Sequence, residues 1–112
     1  MDLNILFPVF NEELRLKNGI ETAWSYLANC GLTIPWKLTI VDNASTDSTS
    51  KIARNLILKY SNIFYMRIPE KGVGAAFRAG VLANTSDIIG YMDIDLSTGL
   101  KNIPLVVNIF QK

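Results

Sequence analysis

Residues 88–98 read IIGYMDIDLST, an apolar run that ends abruptly in two aspartates. The run is continuous rather than alternating, which predicts a strand buried on both faces, as in the middle of a parallel sheet. Asp93 and Asp95 then lie at the carboxyl end of the strand, where ligands of open α/β sheets bind. Two carboxylates in this arrangement suit Mg²⁺ or Mn²⁺ bound together with a diphosphate. On the motif alone, an ordinary structural function of the two aspartates, in a turn or a cap, is the favoured interpretation.

Composition narrows the class of protein. The 112 residues are 49% hydrophobic and 19% charged with a net charge of +1, which indicates one globular domain, 1–112, rather than a disordered tail. Lysines and arginines are scattered singly, so we expect no nucleic-acid partner. A single cysteine and the absence of histidine exclude a disulfide framework, zinc clusters and serine-histidine-aspartate catalysis.

The rest of the chain alternates between strand-like and helix-like patterns. Strands are predicted at residues 3–9, 36–41 and 62–68, helices at 16–30, from 45 or 46 to 60, and at 75–83, and a final helix near Pro104 within residues 100–110. Strand and helix therefore alternate along the whole chain with short connections. This order predicts an α/β fold, a Rossmann-like parallel sheet in the order 3-2-1-4 with helices on both faces. The winding reverses between strands one and four, which opens a crevice there.

Two polar segments follow the first two strands. In residues 8–13 (PVFNEE), the aromatic Phe10 is placed to stack near a nucleobase and Glu12 to reach it, although acids are also common at helix N-termini. In residues 41–47 (VDNASTD), Ser45 or Thr46 is expected to cap the second helix. Asp42 is then a carboxylate beyond what the cap requires, able to accept hydrogen bonds from a base edge. An ordinary turn is the alternative.

The segment at residues 71–80 (KGVGAAFRAG) superficially matches a dinucleotide fingerprint. It follows strand three instead of strand one, and Phe77 stands where the last small residue belongs, so a Rossmann cofactor site is not expected. Lys71 and Arg78 remain candidates for binding a diphosphate, against an equally weighted interpretation as solvated surface charges.

Four segments together, PVFNEE, VDNASTDST, KGVGAAFRAG and DIDLST, resemble the N-terminal nucleotide-binding half of family 2 glycosyltransferases of the GT-A fold. Within that family they are most similar to the dolichyl- and polyprenyl-phosphate mannose and glucose synthases. Asn43 and Ala44 depart from the commoner Asp and Gly of the family, and Gly99 stands where an acid or proline is frequent. Family members continue well beyond this length, so we expect the chain to be part of a longer enzyme.

The resemblance implies a site for a UDP- or GDP-sugar with a divalent metal. Its implied members are Pro8, Phe10 and Glu12 around the base and ribose, Asp42 at the base edge, Lys71, Arg78 and Asp93 towards the phosphates, and Asp93 and Asp95 at Mg²⁺ or Mn²⁺. Asp95 is the more direct metal ligand in this scheme. The implied reaction is sugar transfer to a polyprenyl phosphate acceptor, and no catalytic base is assigned.

Two competing hypotheses remain. The chain itself could be a non-catalytic nucleotide-binding module, or a nucleotidyltransferase that makes sugar nucleotides. The second requires a basic, glycine-rich loop after strand one, where Asn11, Glu12 and Glu13 would repel phosphate. No apolar run approaches the roughly 18 residues needed to span a bilayer, and Asp2 stands where a signal peptide is basic. We therefore expect a cytoplasmic protein, peripheral at the membrane in its full-length form, and a homo-oligomer that covers the edge of strand four or residues 103–110.

Overall fold

The computed structural model describes residues 1–70 and 72–94. Its elements, in chain order, are β1 Leu3–Val9, α1 Leu16–Asn29, β2 Trp36–Asp42, α2 Thr49–Lys59, β3 Ile63–Arg67, α3 Val73–Ala83 and β4 Ile88–Tyr91. Lys71, Asp95 and the predicted final helix at 100–110 lie outside the described residues. The predicted elements up to residue 92 are all present, with bounds that differ by a few residues.

The four strands form one parallel sheet in the order β3-β2-β1-β4, as predicted. Val9 is paired with Asp42, and Asp42 with Arg67, so β1, β2 and β3 end level with one another. Since parallel strands end at the same edge of a sheet, the segments that follow them share one carboxyl edge.

Helices cover both faces of the sheet, and each face contributes apolar residues to a core. The larger core is built from Ile5, Phe7 and Ile40 on the sheet and Ile20 and other apolar residues on α1 and α2. On the opposite face α3 packs against β1 and β2, with a smaller core around Val41, Ile68 and Ala76. The prediction of a doubly wound layer arrangement is confirmed.

Pro8 accounts for the end of the hydrogen-bond ladder between β1 and β4. Met92 donates its N–H to the Leu6 carbonyl, and Ile88 donates to Asp2, so the even-numbered residues of β1 direct their backbone groups towards β4. Pro8 is the next such residue, and proline has no N–H to donate. The ladder between β1 and β4 therefore stops after Leu6, while β1 and β2 continue paired to Val9 and Asp42.

Two glycines in helices offer a matched test of this packing. A Cβ at Gly19 of α1 would lie 2.4 Å from the backbone oxygen of Ile94, whereas a Cβ at Gly74 of α3 would meet nothing within 4 Å. Alanine is normally favoured over glycine in a helix by up to about 1 kcal/mol. We expect Gly74→Ala to raise the free energy of unfolding, and Gly19→Ala to lower it by about 1–2 kcal/mol because backbone must move.

Urea unfolding of both variants and the parent chain measures this difference. Stabilisation by Gly19→Ala would show that α1 does not approach the segment after β4 as closely as the structure has it.

Candidate functional site

The loop after β1 and the loop after β2 are locked together through Asn11. Its N–H donates to Ser45 Oγ (2.9 Å), and its Oδ1 accepts from the N–H of Thr46 (2.8 Å). One residue on, the N–H of Glu12 donates to Thr49 Oγ1 (2.9 Å) at the start of α2. Asn11 adopts a left-handed backbone (φ 51°), which asparagine tolerates better than most residues. The two loops are therefore directly hydrogen-bonded to each other.

Glu13 and Asp47 add further hydrogen bonds between the same two loops. The N–H of Glu13 donates to Asp47 Oδ2 (3.3 Å), and the N–H of Ser48 donates to Glu13 Oε2 (3.1 Å). Asp47 also accepts from the N–H of Thr49 (2.9 Å). Burial opposes ionisation of Asp47, but the hydrogen bonds from Thr49 and Glu13 outweigh it and hold the pKa of Asp47 below its ordinary value.

The predicted cap of α2 was wrong in one respect. Neither Ser45 nor Thr46 accepts from the first amides of the helix, because the helix begins later, at Thr49, and both residues bond to Asn11 instead. The residue that satisfies a first-turn amide is Asp47. Ser45 and Thr46 therefore bond to Asn11, in the loop after β1, and not to the amides of their own helix.

Asp42, predicted to contact a nucleobase, is fully buried, with 0% of its side chain exposed. One oxygen accepts from the N–H of Ser45 (2.9 Å). The other accepts from Tyr65 Oη (2.7 Å) and from Arg67 Nη1 (3.3 Å). The sequence argument treated this carboxylate as surplus to the turn, and that part was wrong, because both oxygens are engaged within the protein. A contact with a base stays a prediction.

The surroundings that bury Asp42 also affect the Tyr65 phenol. Burial raises the pKa of the Tyr65 phenol, and so does its bond to the Asp42 carboxylate, because a phenolate there would face a second negative charge. Tyr65 is therefore a donor at neutral pH. The Arg67 guanidinium balances the buried carboxylate, and its Nη2 also donates to the Ser45 carbonyl (2.9 Å).

Asn43 connects the loop after β2 to the loop between β3 and α3. Its side-chain amide donates to the carbonyls of Glu70 (3.2 Å) and Gly72 (2.9 Å), immediately before α3. Gly72 has a φ of +112°, a conformation that residues with a Cβ rarely adopt. An aspartate, the commoner residue of the resembling family, could not donate these two bonds, so Asn43 has a structural function that depends on its amide.

The other residues predicted around the base and ribose have mixed surroundings. Glu12 is partly buried, and its carboxylate accepts a forked pair of bonds from Arg15 at 2.6 and 2.8 Å. Phe10 is exposed at the carboxyl edge, and Pro8 lies in the last part of β1. The structure thus brings Phe10 and Glu12 to the same edge as Asp42, as the sequence predicted, with Glu12 already held by Arg15.

The residues predicted at the phosphates and metal are described only in part. Asp93 is exposed, two residues past the end of β4, and Arg78 is exposed in the second turn of α3. Burial raises the pKa of the Tyr91 phenol, and the nearby Asp93 carboxylate adds to that shift. Within residues 1–70 and 72–94 no three histidine, cysteine or acidic side chains are grouped to hold a metal ion. Lys71 and Asp95 lie outside the described residues.

Sequence reasoning missed the part played by Tyr65 and Arg67. Both belong to β3, and the register that pairs Asp42 with Arg67 brings their side chains beside the buried carboxylate. The signal was available in principle, because a strand with a tyrosine and an arginine two positions apart presents both on one face. Choosing that face required the register, which the sequence did not give.

Solved glycosyltransferases of the GT-A fold share this doubly wound parallel sheet. Mannosyltransferase PcManGT from Pyrobaculum calidifontis, solved with GDP-Man and Mn²⁺, superposes with a TM-score of 0.70 at 19% identity over 83% of this chain and 27% of its own. S. aureus TarS 1-349 with UDP-GlcNAc superposes with a TM-score of 0.69 at 18% identity over 85% and 27% of the two chains. At these identities the likeness shows the fold.

The family model for glycosyl transferase family 2 matches residues 4–112, and the chain belongs to that family. A dolichyl-phosphate beta-glucosyltransferase of Trichomonas vaginalis is 29% identical over 108 residues, which are 93% of this chain and 33% of that protein. The chain thus spans about a third of the length of this relative. None of the helices within residues 1–70 and 72–94 has the length and apolar character required to cross a membrane.

The function of the Asn43 amide can be tested by replacing its NH₂ group with an oxygen. Asn43→Asp would place a buried carboxylate against two carbonyl oxygens, and we expect a loss of about 1–3 kcal/mol in the free energy of unfolding at neutral pH. The new carboxyl should have a folded-state pKa above its unfolded value of about 3.9, so the loss is full above the folded-state pKa and fades as pH falls towards the unfolded value.

Denaturant unfolding between acid and neutral pH measures both effects. Asn18→Asp, on the exposed side of α1, is the matched control and should change stability by less than about 0.5 kcal/mol. An equal, pH-independent effect of the two variants would contradict the structural function of the amide.

Proposed function

We propose that this chain binds the nucleoside-diphosphate part of a nucleotide sugar at its carboxyl edge, and that the protein transfers the sugar to a polyprenyl phosphate. The observation that carries the proposal is the end of the β1–β4 pairing at Leu6 and Tyr91, where Pro8 follows in β1 and an exposed carboxylate, Asp93, follows β4. The site lies where the winding of the sheet reverses, which is where doubly wound proteins bind nucleotides. Membership of family 2 supports the same class of reaction.

A divalent metal fits the residues at this position. Asp93 is a hard oxygen donor, exposed at the carboxyl edge, and Mg²⁺ and Mn²⁺ prefer such ligands. We propose that Asp93 and Asp95 hold the metal and that it stabilises charge on the leaving diphosphate when bound. A metal in this fold is supported by PcManGT, which was solved with Mn²⁺.

A polyprenyl phosphate is proposed as the acceptor because of its chemistry and because of the name of a relative. The Trichomonas vaginalis protein is named a dolichyl-phosphate beta-glucosyltransferase. A phosphate acceptor is already anionic near neutral pH, so it needs a general base less than a sugar hydroxyl does. The buried Asp42 and the partly buried Glu12 agree with this, because each carboxylate is already paired with an arginine side chain. We propose a cytoplasmic location at the membrane surface, where a polyprenyl phosphate is accessible.

Metal-dependent binding is the direct test. Asp93→Asn keeps the size of the side chain but removes its charge, and we expect it to weaken binding of UDP or GDP in the presence of Mn²⁺ by about tenfold or more. Asp95→Ala is expected to weaken it further. The matched control is Asp87→Asn, because Asp87 flanks the same strand at its other end, where its carboxylate accepts from the N–H of Asp2 (3.1 Å).

Calorimetry with Mn²⁺, with Mg²⁺ and with a chelator measures the affinities, and a radiolabelled sugar assay with polyprenyl phosphate measures transfer. Equal nucleotide affinity with metal and with chelator, unchanged in both site variants, would remove the metal from the site. Nucleotide binding without transfer would favour the module hypothesis.

We also propose that the chain associates with itself through the outer edge of β4. In the part of the chain that the structure describes, β4 is an edge strand, and residues 88–91 include neither a charge nor a proline to protect it. Light scattering over a wide concentration range is expected to show a dimer or larger species. Ile88→Lys would put a charge into this strand at a partly buried position, whereas Ile89 is fully buried, and it should shift the population to monomer. A parent chain that is monomeric at all concentrations would contradict the proposal.

A further inference from the structure

The fold gathers positive charge on the layer formed by α1 and α2, although lysines and arginines are scattered along the sequence. The two helices contain four cations, Lys17, Lys51, Arg54 and Lys59, and a single acid, Glu21. The whole chain has 11 lysines and arginines against 10 aspartates and glutamates, so the rest of the chain is net acidic. The α1–α2 layer is therefore a positively charged face of the protein.

The outer face of α2 combines cations with an exposed apolar side chain. Lys51, Arg54 and Leu58 follow one another at intervals of three and four residues, which places them in one row along the helix. All three are exposed, Leu58 by 85%. The side chains of Lys51 and Arg54 form no ion pair or hydrogen bond with another described residue. Their charges are therefore available to a partner outside the chain.

A groove between α1 and α2 adds apolar area to this face. It has a volume of about 250 Å³. It is lined by Lys17, Ile52, Asn55, Leu56 and Lys59. Leu56 is buried and Ile52 is half-buried, whereas both lysines are exposed. The groove therefore has an apolar floor and a cationic rim.

The one acid of the layer does not cancel its positive charge. Glu21 Oε2 accepts from Lys59 Nζ (2.6 Å) and from the Tyr60 hydroxyl. These two bonds hold the pKa of Glu21 below its ordinary value, so its carboxylate is ionised at neutral pH and balances Lys59. The three other cations of the layer remain in excess.

We propose that the α1–α2 layer lies on the anionic phospholipid surface of a membrane, with Lys51, Arg54 and Leu58 facing the lipid. Anionic headgroups attract lysine and arginine at short range, and an exposed leucine is stabilised by leaving water. The inference rests on the proposed function, because a polyprenyl phosphate is held in a membrane by its apolar chain. It names the part of the protein that meets that membrane.

The apolar area of this face favours lipid over nucleic acid as the partner. Nucleic-acid phosphates would bind the cations but would gain nothing from Leu58 or from the apolar floor of the groove. Proteins that bind single strands also supply aromatic rings on which bases stack, and α2 contains none. A lipid surface uses both properties, since its charge lies at the headgroups and its apolar region lies below them.

The position of α2 also suits the proposed reaction. The helix begins at Thr49, whose hydroxyl accepts the N–H of Glu12 from the loop after β1. The first turn of α2 therefore adjoins the carboxyl edge, where the nucleotide sugar is proposed to bind. A membrane that lies along α2 passes beside this edge, so an acceptor phosphate in that membrane is close to the donor.

Vesicle flotation measures the proposed contact. The vesicles consist of phosphatidylcholine alone or with about one-third phosphatidylserine, and the full chain is expected to bind the anionic ones and to be released by salt. Lys51→Gln combined with Arg54→Gln should weaken this binding by about tenfold or more. Leu58→Ser leaves the charge unchanged and should weaken it by about threefold or more. Thermal unfolding should barely change in these variants, because the three side chains are exposed.

Lys37→Glu is the matched control, because it lowers the net charge by the same amount as the double variant. Lys37 lies on the other face of the sheet, beside α3, where its ammonium donates to Thr85 Oγ1 (3.5 Å). Its replacement should leave vesicle binding unchanged.

Three results would overturn the inference. They are equal binding to neutral and anionic vesicles, an equal loss in the double variant and the Lys37 control, and stronger retention on an oligonucleotide than on anionic vesicles. The affinity for UDP or GDP with Mn²⁺, measured without vesicles, separates this inference from the proposed function. Nucleotide binding without vesicle binding refutes the membrane surface alone, and vesicle binding without nucleotide binding refutes the proposed function.

Discussion

The carboxyl ends of three strands are held together by hydrogen bonds to one residue, Ser45. Its hydroxyl accepts from Asn11 after β1, its N–H donates to Asp42 at the end of β2, and its carbonyl accepts from Arg67 at the end of β3. Each bond is 2.9 Å long and uses a different polar group of the serine. The shape of the carboxyl edge depends on this convergence, because loops without such bonds would move independently.

The fold could be predicted from the sequence because its determinants are local and repeated. Continuous apolar runs such as residues 88–92 indicate strands buried on both faces, and the helical spacing of Leu16, Ile20 and Leu27 indicates α1. Alternation of strand and helix with right-handed connections then leaves few topologies, and the order 3-2-1-4 is one of them. The positions of Phe10, Glu12 and Asp42 at one edge follow from the same argument.

The surroundings of the site residues could not be predicted in the same way. Whether Asp42 is exposed depends on Tyr65 and Arg67, which are 23 and 25 residues away in the chain and approach it only through the register of β2 and β3. The predicted cap of α2 was wrong for a related reason. Ser45 and Thr46 have good local partners in a turn, but Asn11 is the better partner for both. Long-range hydrogen bonds override local preference where loops meet, and these are the positions where a site is built.

The proline that ends the β1–β4 ladder also fixes where strand pairing stops. An end that is set by side-chain packing can shift when the packing relaxes. Here it follows from the covalent structure of Pro8, whose nitrogen carries no hydrogen to donate to β4 under any condition. A nucleotide bound at the proposed site would therefore not have to displace a backbone hydrogen bond donated by Pro8.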